Sequence, residues 1–212
     1  MKRNEVFIPL ILLVVLVGLT VGCTKKAIVR QYYVIDFPVK IDSTSSLPPL
    51  TQKICEIVPV RVAPVYTTNK IALRTRSHEL TYFLYHVWAV KPDKAITHLM
   101  EKFFQAQHLF KEISSYLWKT QPDYELRTRV DRLELSEQKG RMFARVAMTL
   151  ELYDLKTNQT VVYHVFDSSL PLQKKNINLF AAVVSSEIHH QLKEMATKMK
   201  LYLTHDKTTT VP

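Results

Sequence analysis

MFARVAMTLEL (Met142–Leu152) alternates strictly: Val146, Met148, Leu150 and Leu152 share one parity, and Arg145, Thr149 and Glu151 the other. That period of two describes a strand with one face buried and one face open. Lys139-Gly140 before it and Lys156-Thr157-Asn158-Gln159 after it read as turns. Glu125 to Leu135 therefore reads as the preceding strand and Thr160 to Phe166 as the following one, which makes a meander. The preceding strand slips phase. Leu126 and Val130 lie on one parity, Leu133 and Leu135 on the other, so a bulge or bend is expected near Asp131-Arg132.

The period changes on both sides of the meander. Pro92 and Asp93 suit the first turn of a helix. Ile96, Leu99, Met100, Phe103, Ala106, Phe110, Ile113 and Leu117 follow at helical spacing, and Pro122 closes the run. After the meander, Asn178 is the expected N-cap of a second helix with the stripe Ala181, Val184, Ile188, Leu192, Met195, Met199 and Tyr202. The N-terminal part reads as strands: Ile28 to Phe37, then a loop over Pro38 to Gln52, then Ile54 to Ala63. In the latter, Val58, Val60 and Val62 share a face and Pro59 predicts an edge position or a bulge. Ile71 to Arg76 and Leu80 to Trp88 form a hairpin, with Leu80, Tyr82, Leu84 and Trp88 expected on one face. This order predicts an α+β fold: an antiparallel or mixed sheet of about six to seven strands with two main helices packed on it.

Chemistry is hard to find in this chain. It has three glycines, Gly18, Gly22 and Gly140, which excludes Gly-rich phosphate loops. No serine stands in a Gly-x-Ser-x-Gly elbow. Among the eight histidines, His189 and His190 are adjacent, so on a helix they point about 100° apart, and His98 and His108 do not have ligand spacing. No catalytic, cofactor or metal residue follows, and an enzyme is the least supported class. The net charge of +10 is spread along the chain. It suits a solvated surface, anionic lipid headgroups or an acidic partner, and an exported chain meets no nucleic acid. The apolar helical stripes read as core. Tyr82, Phe83, Tyr85 and Trp88 place aromatics on both faces of one strand, and two helices can hardly cover both. Phe83 or Tyr85 is therefore expected in a subunit or partner contact, with a homo-oligomer as one form of it.

The N-terminus sets the compartment. Lys2 and Arg3 precede an apolar run from Val6, and Gly22-Cys23 follows it. This is a secretory signal with a cysteine at the cut, the arrangement of bacterial lipoproteins. Thr20 stands where the lipobox usually has Leu, and Val6 to Val21 is slightly shorter than the ~20 residues of a spanning helix. The expected organisation is a signal peptide over 1–22, a lipidated tether over 23–27 with acyl chains on Cys23, a single periplasmic domain over 28–205 and a flexible tail over 206–212. Thr24 after the cysteine favours the outer membrane. Acylation of Cys23 leaves Cys55 without a disulfide partner, so burial is its expected role.

Gln31-Tyr32-Tyr33-Val34-Ile35, Val60-Arg61-Val62-Ala63-Pro64, Ile71-Ala72-Leu73-Arg74-Thr75 and Tyr85-His86-Val87-Trp88-Ala89 before Pro92 occur in an order that resembles the ABC-type transport auxiliary lipoproteins, the group of paraquat-inducible protein C. The resemblance implies a membrane-anchored, non-catalytic accessory lipoprotein. Its implied partners are an ABC transporter and an MCE-domain protein that move lipid between the membranes. It implies no active-site residues and no cofactor. The alternative reading is a structural or assembly lipoprotein of an outer-membrane complex, and a periplasmic hydrolase is a third.

Overall fold

The computed structural model describes residues 29–39, 48–118 and 120–209, with side chains to 205. Cys23, the expected signal peptide and the expected tether lie outside the described residues, as do 40–47 of the expected Pro38–Gln52 loop. The architecture is a nine-stranded mixed sheet with two helices. The α+β reading holds, and the sheet has more strands than the six to seven expected.

The meander is the spine. Strands β7 (Tyr124–Gln138), β8 (Arg141–Asp154) and β9 (Gln159–Leu172) pair antiparallel in sequence order. Val130 faces Met148 and Arg132 faces Ala147, so Asp131 is the extra residue of a bulge where the phase slip predicted one. The β7–β8 connection has two residues, Lys139 at φ 49° and Gly140 at φ 74°. This is the mirror-image turn that matches strand twist. Before Asn158 (φ 56°), Asp154 Oδ1 accepts from the backbone N–H of Lys156 (2.7 Å) and Thr157 (3.0 Å), an Asx turn. β9 runs to Leu172, beyond the expected Phe166.

The other edge of β7 is shared by three parallel strands end to end: β2 (Ile54–Ile57), β3 (Arg61–Val62) and β4 (Lys70–Arg76). Pro59 explains the break between the first two, because it offers no N–H to the ladder. The single strand expected over Ile54–Ala63 is thus two. Cys55 and Ile57 are the buried residues before the break and Val60 after it, so the expected common face of Val58, Val60 and Val62 does not hold. The N–H of Val60 donates instead to Thr97 Oγ1 (3.0 Å) on the first helix.

β5 (Glu79–Trp88) returns antiparallel to β4, and β1 (Gln31–Tyr33) lies parallel beside β5 at the sheet edge. Helix α1 spans Pro92–Gln105, shorter than the stripe to Leu117 predicted. Ala106, Gln107 and His108 turn the chain, with His108 at φ 51°, and β6 (Glu112–Ser114) pairs parallel with β2. Phe110 and Ile113 are buried, so the stripe was core, but it comes from two elements. Helix α2 spans Ile177–Thr209. Its cap is Asn176, whose Oδ1 accepts from the N–H of Leu179 (3.0 Å), two residues before the expected Asn178. The helix continues past His205, where fraying was expected.

One core joins the sheet and both helices. Val146, Met148, Leu150 and Leu152 pack in a cluster with Phe180, Val184, Ile188, Leu192, Met195 and Met199. Leu203 is buried where the stripe predicted Tyr202, which is half-buried. The chain after β1 is strapped across the helices. Ile35 and Phe37 are buried, Phe37 stacks on His189 (4.4 Å, 1°), and the N–H of Asp36 donates to Ser185 Oγ (3.1 Å). Burial, with Lys193 adding repulsion, pulls the His189 imidazole below its usual range. Among the described residues, no helix is long and apolar enough to cross a membrane.

Candidate functional site

The expected alternation in β5 breaks at its centre. Ala72 faces Tyr82 and Lys70 faces Val87, so Phe83, Leu84, Tyr85 and His86 together oppose Ile71 alone. Such a wide bulge re-aims side chains. Trp88 is buried against Phe180 (5.7 Å), whereas Leu84 is 70% exposed, so Leu84 and Trp88 do not share a face. Tyr85 is 43% exposed. Phe83 turns inward, packs against the core and meets His86 edge-on (5.6 Å, 88°). Between the two candidates raised by the sequence, Tyr85 stands open and Phe83 is packed against the core.

The strand pairing holds the bulge in place. Gln31 of β1 faces His86, and the Tyr33 hydroxyl lies 2.8 Å from His86 Nδ1. Tyr82 donates through its hydroxyl to the carbonyl of Val65 (2.8 Å). Next to the bulge, Tyr32 of β1 is 62% exposed, and Val34 and Val90 are also exposed. Val34, Val90 and Leu99 line an apolar cleft of about 390 Å³ with Lys94 and His98 at its border. The sequence placed Leu84 on the face of Trp88, and it did not mark Leu84 or Tyr32 as exposed. The signal for Leu84 was an unbroken row of large residues at both parities, which a regular strand cannot bury.

A second feature was hidden in the pattern. Glu134 lies between Leu133 and Leu135 and reads as solvent-facing, yet it is wholly buried. Arg74 holds both of its oxygens, Nε to Oε1 (2.6 Å) and Nη2 to Oε2 (2.8 Å), the bidentate geometry that suits guanidinium and carboxylate. The Tyr66 hydroxyl donates to Oε2 (2.5 Å). Arg132 Nε and Arg145 Nη1 each stand 4.0 Å from Oε1. Burial first, then the bond to Glu134, push the Tyr66 phenol up to about 12, and the Arg74 guanidinium is raised chiefly by Glu134. Tyr66 reaches Glu134 from a 3-10 turn at Pro64–Tyr66.

Cys55 is fully buried, and burial pushes its thiol well above the usual range, as its place in the strand predicted. Among the described residues, no group of three or more His, Cys, Asp or Glu side chains is gathered as a metal site would need.

The sequence over residues 33–196 matches the family described as ABC-type transport auxiliary lipoprotein component. The chain belongs to this family. The match begins at Tyr33 on β1 and runs into α2, so the β5 bulge and the Glu134 cluster both lie within the auxiliary lipoprotein body. The family places the protein in the cell envelope as a lipoprotein attached to ABC-type transport. Solved structures agree on the fold. A Xanthomonas campestris protein of the DUF330 family superposes with a TM-score of 0.68 at 15% identity, covering 85% of this chain and 100% of its own. An uncharacterised protein of known structure superposes with a TM-score of 0.63 at 13% identity, covering 81% of this chain and 99% of its own. No curated protein shows a significant sequence match to the chain.

Proposed function

We propose that this auxiliary lipoprotein is the membrane-anchored, non-catalytic accessory component of an ABC transporter that moves lipid between the membranes with an MCE-domain partner. The family match over residues 33–196 carries the reading. The signal over 1–22 is removed, Cys23 takes the acyl chains, 23–27 is the tether, 28–205 is the periplasmic domain and 206–212 the tail. Thr24 directs the protein to the outer membrane, facing the periplasm. Five residues separate Cys23 from Val29, a reach of at most ~22 Å over six Cα steps. The domain therefore works close to the bilayer, where a transporter component can meet it.

The β5 bulge is the proposed contact, with Tyr85 and Leu84 as its exposed centre and Phe83 on the core side. The partner is a transporter component or a second copy of the chain. A photo-reactive residue at position 85 is expected to give an adduct in cells, and one at Lys139, on the two-residue turn, is not. Tyr85→Ala is expected to weaken association by ~1–2 kcal/mol with an unchanged melt. Phe83→Ala is expected to destabilise the fold by ~3 kcal/mol. If Tyr85→Ala lowers the melting temperature as Phe83→Ala does, and no adduct forms at position 85, the contact is not there.

A further inference from the structure

Four arginines from three strands converge on one concavity: Arg74 and Arg76 of β4, Arg132 of β7 and Arg145 of β8 line a pocket of about 470 Å³ with Ser77 and Ser136. The acidic groups do not use up this charge. Glu134 is consumed by the two bonds from Arg74 and the one from Tyr66. Arg132 Nη1 is taken by Asp167 (2.5 Å). Glu137 also lines the pocket and pairs with Lys175 (3.8 Å), and Arg76 pairs loosely with Glu79 (3.6 Å) on the exposed surface. Arg145 is left over. Its nearest carboxylate oxygen stands at 4.0 Å, beyond hydrogen-bond distance, and its Nε–H is buried with no acceptor. A buried donor without a partner costs free energy, and an anion beside the same guanidinium offsets part of that cost through its charge.

We propose that this pocket binds a phosphate-class oxyanion, either free or as the phosphodiester of a lipid headgroup. A tetrahedral anion with several oxygens can accept from the open edge of the Arg145 guanidinium and from the Arg76 fork at once. The strand pairing gives the site a fixed frame: Arg74 faces Ser136 across β4 and β7, and Glu134 faces Arg145 across β7 and β8. Glu134, buried behind the pocket, anchors Arg74, and Arg145 and Arg76 are the binding groups. The site rests on these residues alone and does not depend on the proposed transport role.

Calorimetry of the full-length chain in non-ionic detergent tests this with two probes, inorganic phosphate and glycerophosphoglycerol, against chloride at matched ionic strength. Arg145→Gln and Arg76→Gln are each expected to weaken binding by ~10-fold or more, and Arg145→Lys by less, because lysine keeps the charge but loses the fork. Binding of phosphate alone assigns the site to the free ion. Binding of the diester assigns it to a headgroup. Arg76→Gln touches neither Glu134 nor the core, so it keeps the test informative should Arg145→Gln fold poorly. If neither probe binds more tightly than chloride, or if binding survives both glutamine variants unchanged, the pocket is not an anion site.

Discussion

Cys23→Ser is expected to leave an unprocessed precursor with no acyl label. Gly22-Cys23 follows the apolar run directly, and a serine hydroxyl cannot replace the thiol that is acylated. One saturated chain gives only marginal membrane binding, whereas two or more at ~0.8 kcal/mol per buried CH₂ hold a protein effectively permanently. The effect is therefore close to all-or-none. Intact-mass spectrometry should show the mature wild type with its lipid, and the variant at precursor mass. A variant cut at the same position as the wild type would remove the lipid anchor from this account.

Glu134→Gln is expected to destabilise the domain by ~3–5 kcal/mol. The carboxylate is wholly buried, is the nearest counter-charge for Arg74 and Arg145, and stands 4.0 Å from Arg132. Removing one partner of such a cluster leaves uncompensated charge in the interior. An amide also offers one accepting atom where Arg74 and Tyr66 now use two. Asp167→Asn, at the exposed end of the same network, should cost less than ~1 kcal/mol. The Tyr66 bond has its own pH signature. Its phenol is raised from the ordinary 10 to about 12, so the unfolded chain ionises first. The bond's contribution is complete below pH 10 and is lost as pH rises toward 12, and Tyr66→Phe should flatten that decline. Urea titrations at neutral pH and near pH 11 check both points. Equal, small losses for Glu134→Gln and Asp167→Asn would show that the cluster adds little stability.

Elements with a clean period were legible from sequence. The β7–β8–β9 meander, the bulge at Asp131, the turn at Lys139-Gly140 and the α2 stripe were all read from spacing, because one face of each is buried and the chain must obey that face. The misreadings have local causes. Phe110 and Ile113 continue the α1 stripe by chance, since a loop residue and a strand residue fill the same core layer as the helix. No glycine marks the stop, and His108 takes the positive φ that glycine usually supplies. Pro59 warned of a break but not that both halves would still lie along β7. The exposed part of β5 was half visible. Large residues at both parities of β5 pointed to exposure, but the four-against-one bulge that turns Leu84 out and Phe83 in depends on Ile71, in another strand. The Glu134 cluster was invisible, because Tyr66, Arg74, Arg132 and Arg145 are far apart in sequence and none has a spacing that signals the others.

The central claim is service to a transporter, and one purification tests it most directly. The full-length chain, carrying a C-terminal affinity tag, is extracted from its own membranes in mild detergent and its companions are identified by mass spectrometry. The account predicts an ATPase, a permease and an MCE-domain protein, depleted when the tagged chain carries Tyr85→Ala. Recovery of outer-membrane assembly components in their place, or of the tagged chain alone with Cys23 acylated, would contradict it.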